Sequence, residues 1–264
     1  MRASGVNEST LRAWERRYAF PAPRREPSGH RRYSRGDVER ILRVLTERKR
    51  GASLPIAIER ARGASTGVHS LFARMRELHP DLQVTKVRKR HLIQLARAME
   101  EESAARADRP LLIGAFQRER FYRQTEHRWR ELARGASHAM VLADFPRVQA
   151  TDAGPIEVPV ERSHPVSREW ALISDAPEHC SCLLAWEPPA HPVADPEREF
   201  EVVFSVHPGA VREAAETAVA IVAPLAPGVA APVRRHLEGI PVALPEAQLA
   251  LAEAITVRLL ARLA

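Results

Sequence analysis

Residues 9–18 read Ser-Thr-Leu-Arg-Ala-Trp-Glu-Arg-Arg-Tyr, and this stretch decides how the first part of the chain folds. On a helix, at about 100° per residue, small and cationic side chains share one face: Ser9, Arg12, Ala13 and Arg16. Apolar and aromatic side chains share the opposite face: Leu11, Trp14 and Tyr18. A helix that reads a DNA major groove needs this division, although an ordinary amphipathic surface helix shows it as well.

The residues that follow predict a winged helix-turn-helix. Prolines in residues 20–23 end the first helix, because proline removes a hydrogen-bond donor and restricts the residue before it. Residues 24–33 form a basic hairpin candidate that turns at Pro27-Ser28-Gly29. Asp37 is a cap candidate for a second helix, whose apolar residues have helical spacing, and Ser53 with Pro55 opens a third.

Residues 10–41, TLRAWERRYAFPAPRREPSGHRRYSRGDVERI, resemble the DNA-binding head of the MerR family. The resemblance implies that the first helix enters the major groove and that the wing grips the flanking backbone. The implied helix contacts are Ser9, Thr10, Arg12, Arg16 and Arg17. The implied wing contacts are His30, Arg31, Arg32 and Tyr33.

Two positions depart from the family pattern. Trp14 occupies a position where the family often has a tyrosine near phosphate, but the apolar face of the helix favours core packing for this side chain. MerR heads normally begin with a further helix, and Met1-Arg2-Ala3-Ser4 provides only its last turn. We therefore expect a truncated first helix here and an amphipathic helix encoded by in-frame codons upstream.

Charge is distributed unevenly along the 264 residues, whose formal net charge is +7. Residues 1–65 hold 16 Arg and Lys against 7 Asp and Glu, whereas the remainder holds 24 against 26. GC-rich codons would explain the preference for arginine over lysine, but not this placement. A basic head joined to a nearly neutral partner is typical of a nucleic-acid-binding module with a second domain.

The chain shows no secretion signal, and its most apolar stretch, residues 218–231, is interrupted by prolines and too short to span a bilayer. Its two cysteines, Cys180 and Cys182, are too close for an ordinary disulfide. We therefore expect a cytoplasmic protein that does not associate with membranes.

We predict three segments. Residues 1–63 form the DNA-binding head, residues 64–80 a linker with a short helix, and residues 81–264 an α/β sensory domain. Many MerR proteins carry a long dimerising helix after the head. Residues 71–78 are too short for one, so dimerisation is expected to come mainly from elsewhere.

The second domain alternates strand and helix patterns. Apolar runs predict strands at 110–116, 138–145, 156–160, 170–173, 182–186 and 200–206. Helical spacing predicts helices at 88–106, 118–134, 211–222 and 251–263. Strand, helix, strand in this order indicates a right-handed crossover and a mixed, partly parallel sheet.

Residues 114–145, GAFQRERFYRQTEHRWRELARGASHAMVLADF, resemble the signature of the DICT domain, a sensory module found beside MerR heads. The preceding helix, HLIQLARAMEEE at residues 91–102, agrees with this assignment. The resemblance implies a signal-sensing role without supplying a ligand.

Polar and cationic groups gather just after the first predicted strand of the second domain, at Gln117, Arg118, Arg120 and Arg123. Loops at the carboxyl ends of strands commonly bind ligands, and arginine presents a fixed fork to a carboxylate or phosphate. These residues are candidates for binding an anionic effector. The alternative is that they are helix-surface arginines paired with Glu119, Glu126 and Glu131.

Two further patterns are weaker. Cys180 and Cys182, with His164, His179 or His191, offer soft ligands to a metal, but buried small side chains are the commoner role for such cysteines. Asp144 follows a predicted strand, where a carboxylate either catalyses or, more commonly, caps a turn. Since no phosphate loop, HExxH or dinucleotide glycine pattern occurs, we expect no catalytic residues, no metal and no cofactor.

Together these patterns predict a one-component transcriptional regulator. Its head is expected to bind double-stranded promoter DNA sequence-specifically as a homodimer, and the second domain to sense a signal such as a small-molecule effector and to modulate promoter geometry. The alternatives are a simple promoter block, an enzyme or metal-sensing domain fused to a DNA-binding head, and a structural DNA-binding protein without sequence preference.

Overall fold

The structure, a computed structural model, describes residues 6–21, 23–25, 31–33, 35–49, 52–63, 70–106, 109–150, 154–189 and 194–263. The chain divides into two compact units, Met1–His69 and Ser70–Ala264.

In the first unit, the described residues form three helices and a two-stranded sheet. The elements in chain order are α1 (Glu8–Tyr18), β1 (Arg24–Arg25), β2 (Arg31–Arg32), α2 (Arg35–Lys49) and α3 (Leu54–Gly63). The Asn7 side chain caps α1 by accepting a hydrogen bond of 2.8 Å from the Thr10 N–H. The helix ends at Ala19, whose backbone is left-handed with φ of 50°.

The predicted winged helix-turn-helix is confirmed. Strands β1 and β2 pair antiparallel, with Arg24 opposite Arg32 and Arg25 opposite Arg31, and the predicted turn at Pro27-Ser28-Gly29 lies outside the described residues. Buried apolar side chains from all three helices form one core: Leu11, Trp14, Phe20, Ile41, Val44, Ala57, Ile58 and Ala61. The prediction that Asp37 caps the second helix is wrong, because α2 begins at Arg35 and Asp37 lies within its first turn.

The second unit contains seven helices and seven strands among the residues that the structure describes. The helices are α4 (Leu71–Leu78), α5 (Lys89–Ala105), α6 (Glu119–Arg123), α7 (Glu126–Gly135), α8 (Pro208–Leu225), α9 (Pro227–Gly239) and α10 (Gln248–Leu263). The strands are β3 (Thr85–Arg88), β4 (Leu111–Phe116), β5 (His138–Ala143), β6 (Ile156–Pro159), β7 (Glu169–Asp175), β8 (Cys180–Trp186) and β9 (Glu199–Ser205).

All seven strands join one mixed sheet in the order β3-β9-β8-β7-β4-β5-β6. Strands β4, β5 and β6 run parallel, with Leu111 opposite His138 and Met140 opposite Ile156. The remaining neighbours pair antiparallel. The predicted mixed sheet, with a parallel pair around the strand–helix–strand segment, is therefore confirmed.

Helices pack against both faces of this sheet. A continuous core joins α5, α7 and α10 to one face and includes Leu92, Trp129, Leu172 and Ile255. Helix α8 lies against β6, β7 and β8 on the other side, together with α4 and α9. Strands covered on both faces are apolar almost throughout, which explains why apolar runs in the sequence predict their positions.

Helix α4 belongs to the second unit, although the sequence placed it in a linker segment. Leu71, Phe72 and Met75 are buried, and the Phe72 ring stacks on Trp186 with 6.3 Å between centroids. The helix begins beside the buried carboxylate of Glu169, which accepts hydrogen bonds from the Ser70 hydroxyl and, at 3.0 Å, from the Leu71 N–H.

The sequence prediction fails at three elements. The helix predicted at 118–134 is two helices, because the Thr125 N–H and hydroxyl both donate to the Tyr122 carbonyl, at 2.8 and 3.2 Å, in place of continued helical bonding. Edge strand β3 has an almost fully exposed polar pattern and was not predicted. Helix α9 was not predicted either; Pro227 lies in its first turn, where a helix accepts proline, and Pro232 lies inside it.

None of the described helices is both long and apolar enough to cross a membrane.

Candidate functional sites

Helix α1 exposes the face that the sequence assigned to DNA. Ser9, Arg12 and Arg16 are exposed, as is Ala13 between them, whereas Leu11 and Trp14 are buried in the core of the first unit. Arg12 pairs with Glu8 one turn earlier, which holds its guanidinium along the helix surface. Trp14 is 8% exposed and packs near Phe20, so its predicted core role is confirmed.

Other residues predicted to contact DNA surround this face. Arg17 is exposed and lies over the Tyr18 ring, 5.5 Å from its centroid, and Thr10 is half-buried. Arg32, on β2, is exposed. His30 lies outside the described residues.

Arg31 connects strand β2 to helix α1. Its Nε donates to Glu15 Oε2 at 2.6 Å, with the two side chains only 24% and 19% exposed. This charge-assisted bond joins β2 to α1. Glu15 was not predicted as a partner of Arg31, because residues 16 positions apart give no local signal of their pairing.

Tyr33 is turned toward the core of the first unit. Its ring packs against that core, its hydroxyl is buried without a hydrogen-bond partner among the described residues, and burial raises its pKa. This position favours a structural role over direct contact with DNA.

Of the residues predicted to bind an anionic effector, Gln117, Arg118 and Arg123 make hydrogen bonds within the second unit. The Gln117 amide donates to Glu187 Oε2 at 2.8 Å and accepts from Arg198 at 2.6 Å. Arg118 donates to the Gln117 carbonyl at 2.6 Å. Arg120 is exposed and lies 4.9 Å from the centre of the Phe121 ring.

Arg123 makes the densest set of ion pairs in this group. It forms two hydrogen bonds with the buried Glu157 carboxylate, at 2.5 and 2.8 Å, and pairs with Glu119 at 2.8 Å and Glu126 at 3.3 Å. The hydrogen bonds that Arg123 donates to Glu157 raise the pKa of Arg123, so its charge is permanent. These contacts favour the structural alternative for Arg123.

Asp144 caps helix α6. Its two oxygens accept from the Glu119 N–H at 2.6 Å and from Arg162 Nε at 2.9 Å. Burial opposes its ionisation, but these hydrogen bonds outweigh burial and lower the pKa of Asp144. Its geometry is that of a helix cap.

Both cysteines lie on β8 and are buried. Burial raises the pKa of each thiol to about 12, so the neutral thiol dominates at neutral pH. Cys180 Sγ lies 3.8 Å from the Val206 carbonyl and 3.7 Å from Gln248 Oε1. Across the described parts of the chain, no group of three or more His, Cys, Asp or Glu side chains is arranged for a metal ion, and His191 is outside them.

A cleft of about 520 Å³, which no sequence pattern predicts, opens between α5, the start of β4 and α7. Glu100, Arg106, Arg128 and Glu131 contribute charged groups to its wall. Glu100 is 7% exposed and accepts from Arg128 at 3.1 Å and from Trp129 Nε1 at 3.2 Å. Burial raises the pKa of Glu100.

Comparison with known proteins separates the same two parts of the chain. Residues 1–62 match the family described as MerR HTH family regulatory protein. Residues 68–188 match DICT, described as a sensory domain in diguanylate cyclases and two-component systems.

One curated relative is similar to a short part of the chain. It is the HTH-type transcriptional repressor CarA of Myxococcus xanthus, 57% identical over 44 residues. The alignment takes in 16% of this chain and 15% of the relative, so the chain spans only a small part of that protein's length.

Proposed function

We propose that this chain, which joins a MerR-type helix-turn-helix domain to a DICT sensory domain, is a one-component transcriptional regulator. The first unit binds promoter DNA sequence-specifically, and the second senses a signal and changes promoter geometry. The observation that carries this proposal is the exposed Ser9, Arg12 and Arg16 face of α1, backed by a buried aromatic face and flanked by a basic wing.

Electrostatics support DNA as the partner. Sixteen Arg and Lys against seven Asp and Glu in residues 1–65 concentrate the positive charge of the chain in the first unit. Such a field attracts phosphate and releases counterions on binding, which supplies affinity without sequence preference. Sequence preference then has to come from α1, whose exposed arginines suit the edges of guanine bases.

The proposed contacts divide into two sets. Helix residues reach base edges in the major groove: Ser9, Thr10, Arg12, Arg16 and Arg17. Wing residues His30, Arg31 and Arg32 hold the flanking backbone, while Tyr33 supports the wing from inside. Phosphate contacts position a protein and base contacts specify the sequence, so the two sets affect binding differently.

A homodimer completes the proposal, since helix-turn-helix proteins commonly bind two half-sites related by a two-fold axis. Helix α4 is only eight residues long and its Leu71, Phe72 and Met75 are buried within the second unit. Its apolar face is therefore occupied, and the dimer contact lies on another surface.

Regulation accounts for the matches better than enzymatic activity does. Both matching families are described as regulatory or sensory. The carboxylate considered for catalysis, Asp144, is occupied as a helix cap, and the thiols considered for metal sensing, Cys180 and Cys182, are buried and neutral. We therefore propose a non-enzymatic regulator.

The test compares Arg12→Ala with Arg31→Ala in the full chain. Duplexes selected from a randomised pool define the preferred sequence, and binding is then measured on that duplex and on a scrambled one. We expect R12A to lose roughly 1–3 kcal/mol of discrimination between the two. We expect R31A to weaken both alike and to reduce the salt slope by about 0.9.

Arg130→Ala is the control, because it removes one exposed positive charge from the second unit, where Arg130 pairs with Glu126 at 2.7 Å. It should leave DNA binding unchanged. Equal loss of discrimination in R12A and R31A would contradict the division between base-reading and backbone-holding residues. Failure of the unmodified chain to prefer any duplex would contradict the regulator itself.

A further inference from the structure

Helix α10 carries an apolar face that the rest of the second unit leaves exposed. We propose that this face is a dimer interface, in which α10 of one chain packs antiparallel against α10 of a second copy about a two-fold axis. The choice of a second copy as the occupant rests on the proposed homodimeric regulator, whereas the exposed face itself does not.

One side of α10 belongs to the core and the opposite side is exposed. Leu251 and Ile255 are buried in the core between the helices and the sheet. On the other side, Leu249, Val257 and Leu260 are 68%, 65% and 61% exposed. Six of the eleven exposed large apolar side chains among the described residues lie in or just before α10: Val242, Leu244, Leu249, Val257, Leu260 and Leu263. Single exposed apolar residues are ordinary, but such a group on one helix face indicates a contact surface.

The spacing of the exposed residues fits another helix. Ala250 and Val257 are seven residues apart, as are Glu253 and Leu260, and all four are exposed. Successive members of this set are separated by three or four residues, so they form one seam along α10. A seam that repeats every seven residues packs along its whole length against a helix inclined by only about 20°.

The order of side chains along this seam fits a second copy in the antiparallel orientation. If the two-fold axis passes beside residue 255, position 250 of one chain lies opposite position 260 of the other, and position 253 lies opposite position 257. The smallest side chain of the seam, Ala250, then faces the largest apolar one, Leu260, so each copy fills the gap left by the other. A parallel pair in register would set alanine against alanine and leucine against leucine.

Charge selects the same orientation. Glu253 is the one charged residue of the seam, and a parallel pair would place two such carboxylates side by side, where like charges repel. In the antiparallel pair, each Glu253 lies against Val257 of the second copy, about 6 Å along the axis from the other Glu253. Its methylene groups cover the valine while its carboxylate reaches water at the edge of the pair.

The size of the contact sets its strength. Helix α10 has 16 residues and is therefore about 24 Å long. A single helix pair of this length is smaller than a standard interface of roughly 800 Å² per partner. We therefore expect a dissociation constant in the micromolar range. Two half-sites on one duplex would then strengthen the assembly by holding both copies together.

The first experiment is sedimentation equilibrium of the full chain at micromolar concentrations, where we expect a reversible dimer. Leu260→Glu should raise the dissociation constant about tenfold or more, because it buries a charge against Ala250 of the second copy. Glu253→Leu should lower it about tenfold, because the seam loses its one charge and gains apolar contact. Val148→Glu is the matched control: Val148 is 42% exposed, lies outside α10, and should leave the dissociation constant unchanged.

Disulfide formation tests the orientation. Ala250→Cys mixed with Leu260→Cys should cross-link between copies under mild oxidation. A250C alone should not, because the two copies of position 250 would lie about 15 Å apart along the axis, beyond the reach of a disulfide. The unmodified chain provides the background, since its own thiols are buried on β8.

Three results would overturn the proposal: a monomeric unmodified chain, equal dissociation constants for L260E and V148E, or cross-linking of A250C alone as efficient as that of the mixture. Duplex binding by the same preparations separates this interface from the regulator proposal. A dimer that L260E dissociates, in a chain without sequence-specific DNA binding, rejects only the regulator. Sequence-specific binding by a dimer that L260E leaves intact rejects only the α10 interface.

Discussion

Glu169→Gln tests whether a buried carboxyl makes the anchoring of helix α4 depend on pH. Glu169 is 1% exposed at the start of β7, where it accepts hydrogen bonds from the Ser70 hydroxyl and the Leu71 N–H. Burial raises its pKa to about 7, although these hydrogen bonds and one from the Phe72 N–H act in the opposite direction. The folded protein therefore keeps this carboxyl protonated at pH values where the unfolded chain has lost the proton.

The sign and size of the effect follow from that difference. A carboxyl whose pKa is higher in the folded state stabilises the fold fully below its ordinary pKa of 4.5, and this contribution is lost as pH rises to about 7. At about 1.4 kcal/mol per pKa unit, the free energy of unfolding falls by roughly 3 kcal/mol across this interval through Glu169 alone. A glutamine does not titrate, so the free energy of unfolding of E169Q should lack this pH-dependent contribution.

The assay is urea denaturation of the full chain from pH 4.5 to 8, followed by tryptophan fluorescence, because Trp186 stacks on Phe72 of the anchored helix. The free energy of unfolding of the unmodified protein should fall by roughly 3 kcal/mol relative to that of E169Q as pH rises across this range. Glu253→Gln, at an exposed position on α10, is the control and should follow the unmodified protein. Parallel pH profiles for E169Q and the unmodified protein would refute the reasoning.

Two further predictions concern the packed interior of the second unit. Gly114→Ala should destabilise the protein by about 1–3 kcal/mol in denaturant titrations, because an added Cβ would lie 2.5 Å from the Trp129 ring. Gly135→Ala is the control and should not destabilise the protein, because a Cβ there meets no atom within 4 Å. Equal effects of the two substitutions would contradict this packing. Cys180 and Cys182 should react with a thiol reagent at pH 7 only after unfolding, because burial raises both thiol pKa values to about 12. Rapid labelling of the native chain would contradict this prediction and show that β8 is accessible.

Local periodicity accounts for the parts of the fold that were predicted. The six predicted strands match β4 to β9, because each is an apolar run long enough to be distinguished from its neighbours. Helix α1 was predicted from the division of its faces, which the structure preserves as exposed Arg12 and buried Leu11. Strand β3 was missed for the same reason: its side chains are largely exposed, so its sequence carries no apolar signal.

Site predictions were less complete than fold predictions. Composition shows that residues 117–123 are rich in arginine, but it does not show which arginines are already paired. Arg123, on helix α6, is held by Glu157, which lies 34 positions away on strand β6. A charge counted in the sequence becomes available to a ligand only if no fixed carboxylate reaches it, and that depends on the fold.

The sequence by itself determined that this chain has a basic winged head and a separate α/β unit, because helical and strand periodicity, prolines and charge placement are local properties. Tertiary structure alone decided how Arg31 is held by Glu15, how Glu169 fixes the start of α4 across 99 positions, and how α5, β4 and α7 enclose a cleft. Burial, pairing and cavity shape arise between elements that are distant in the chain, and so no local pattern encodes them.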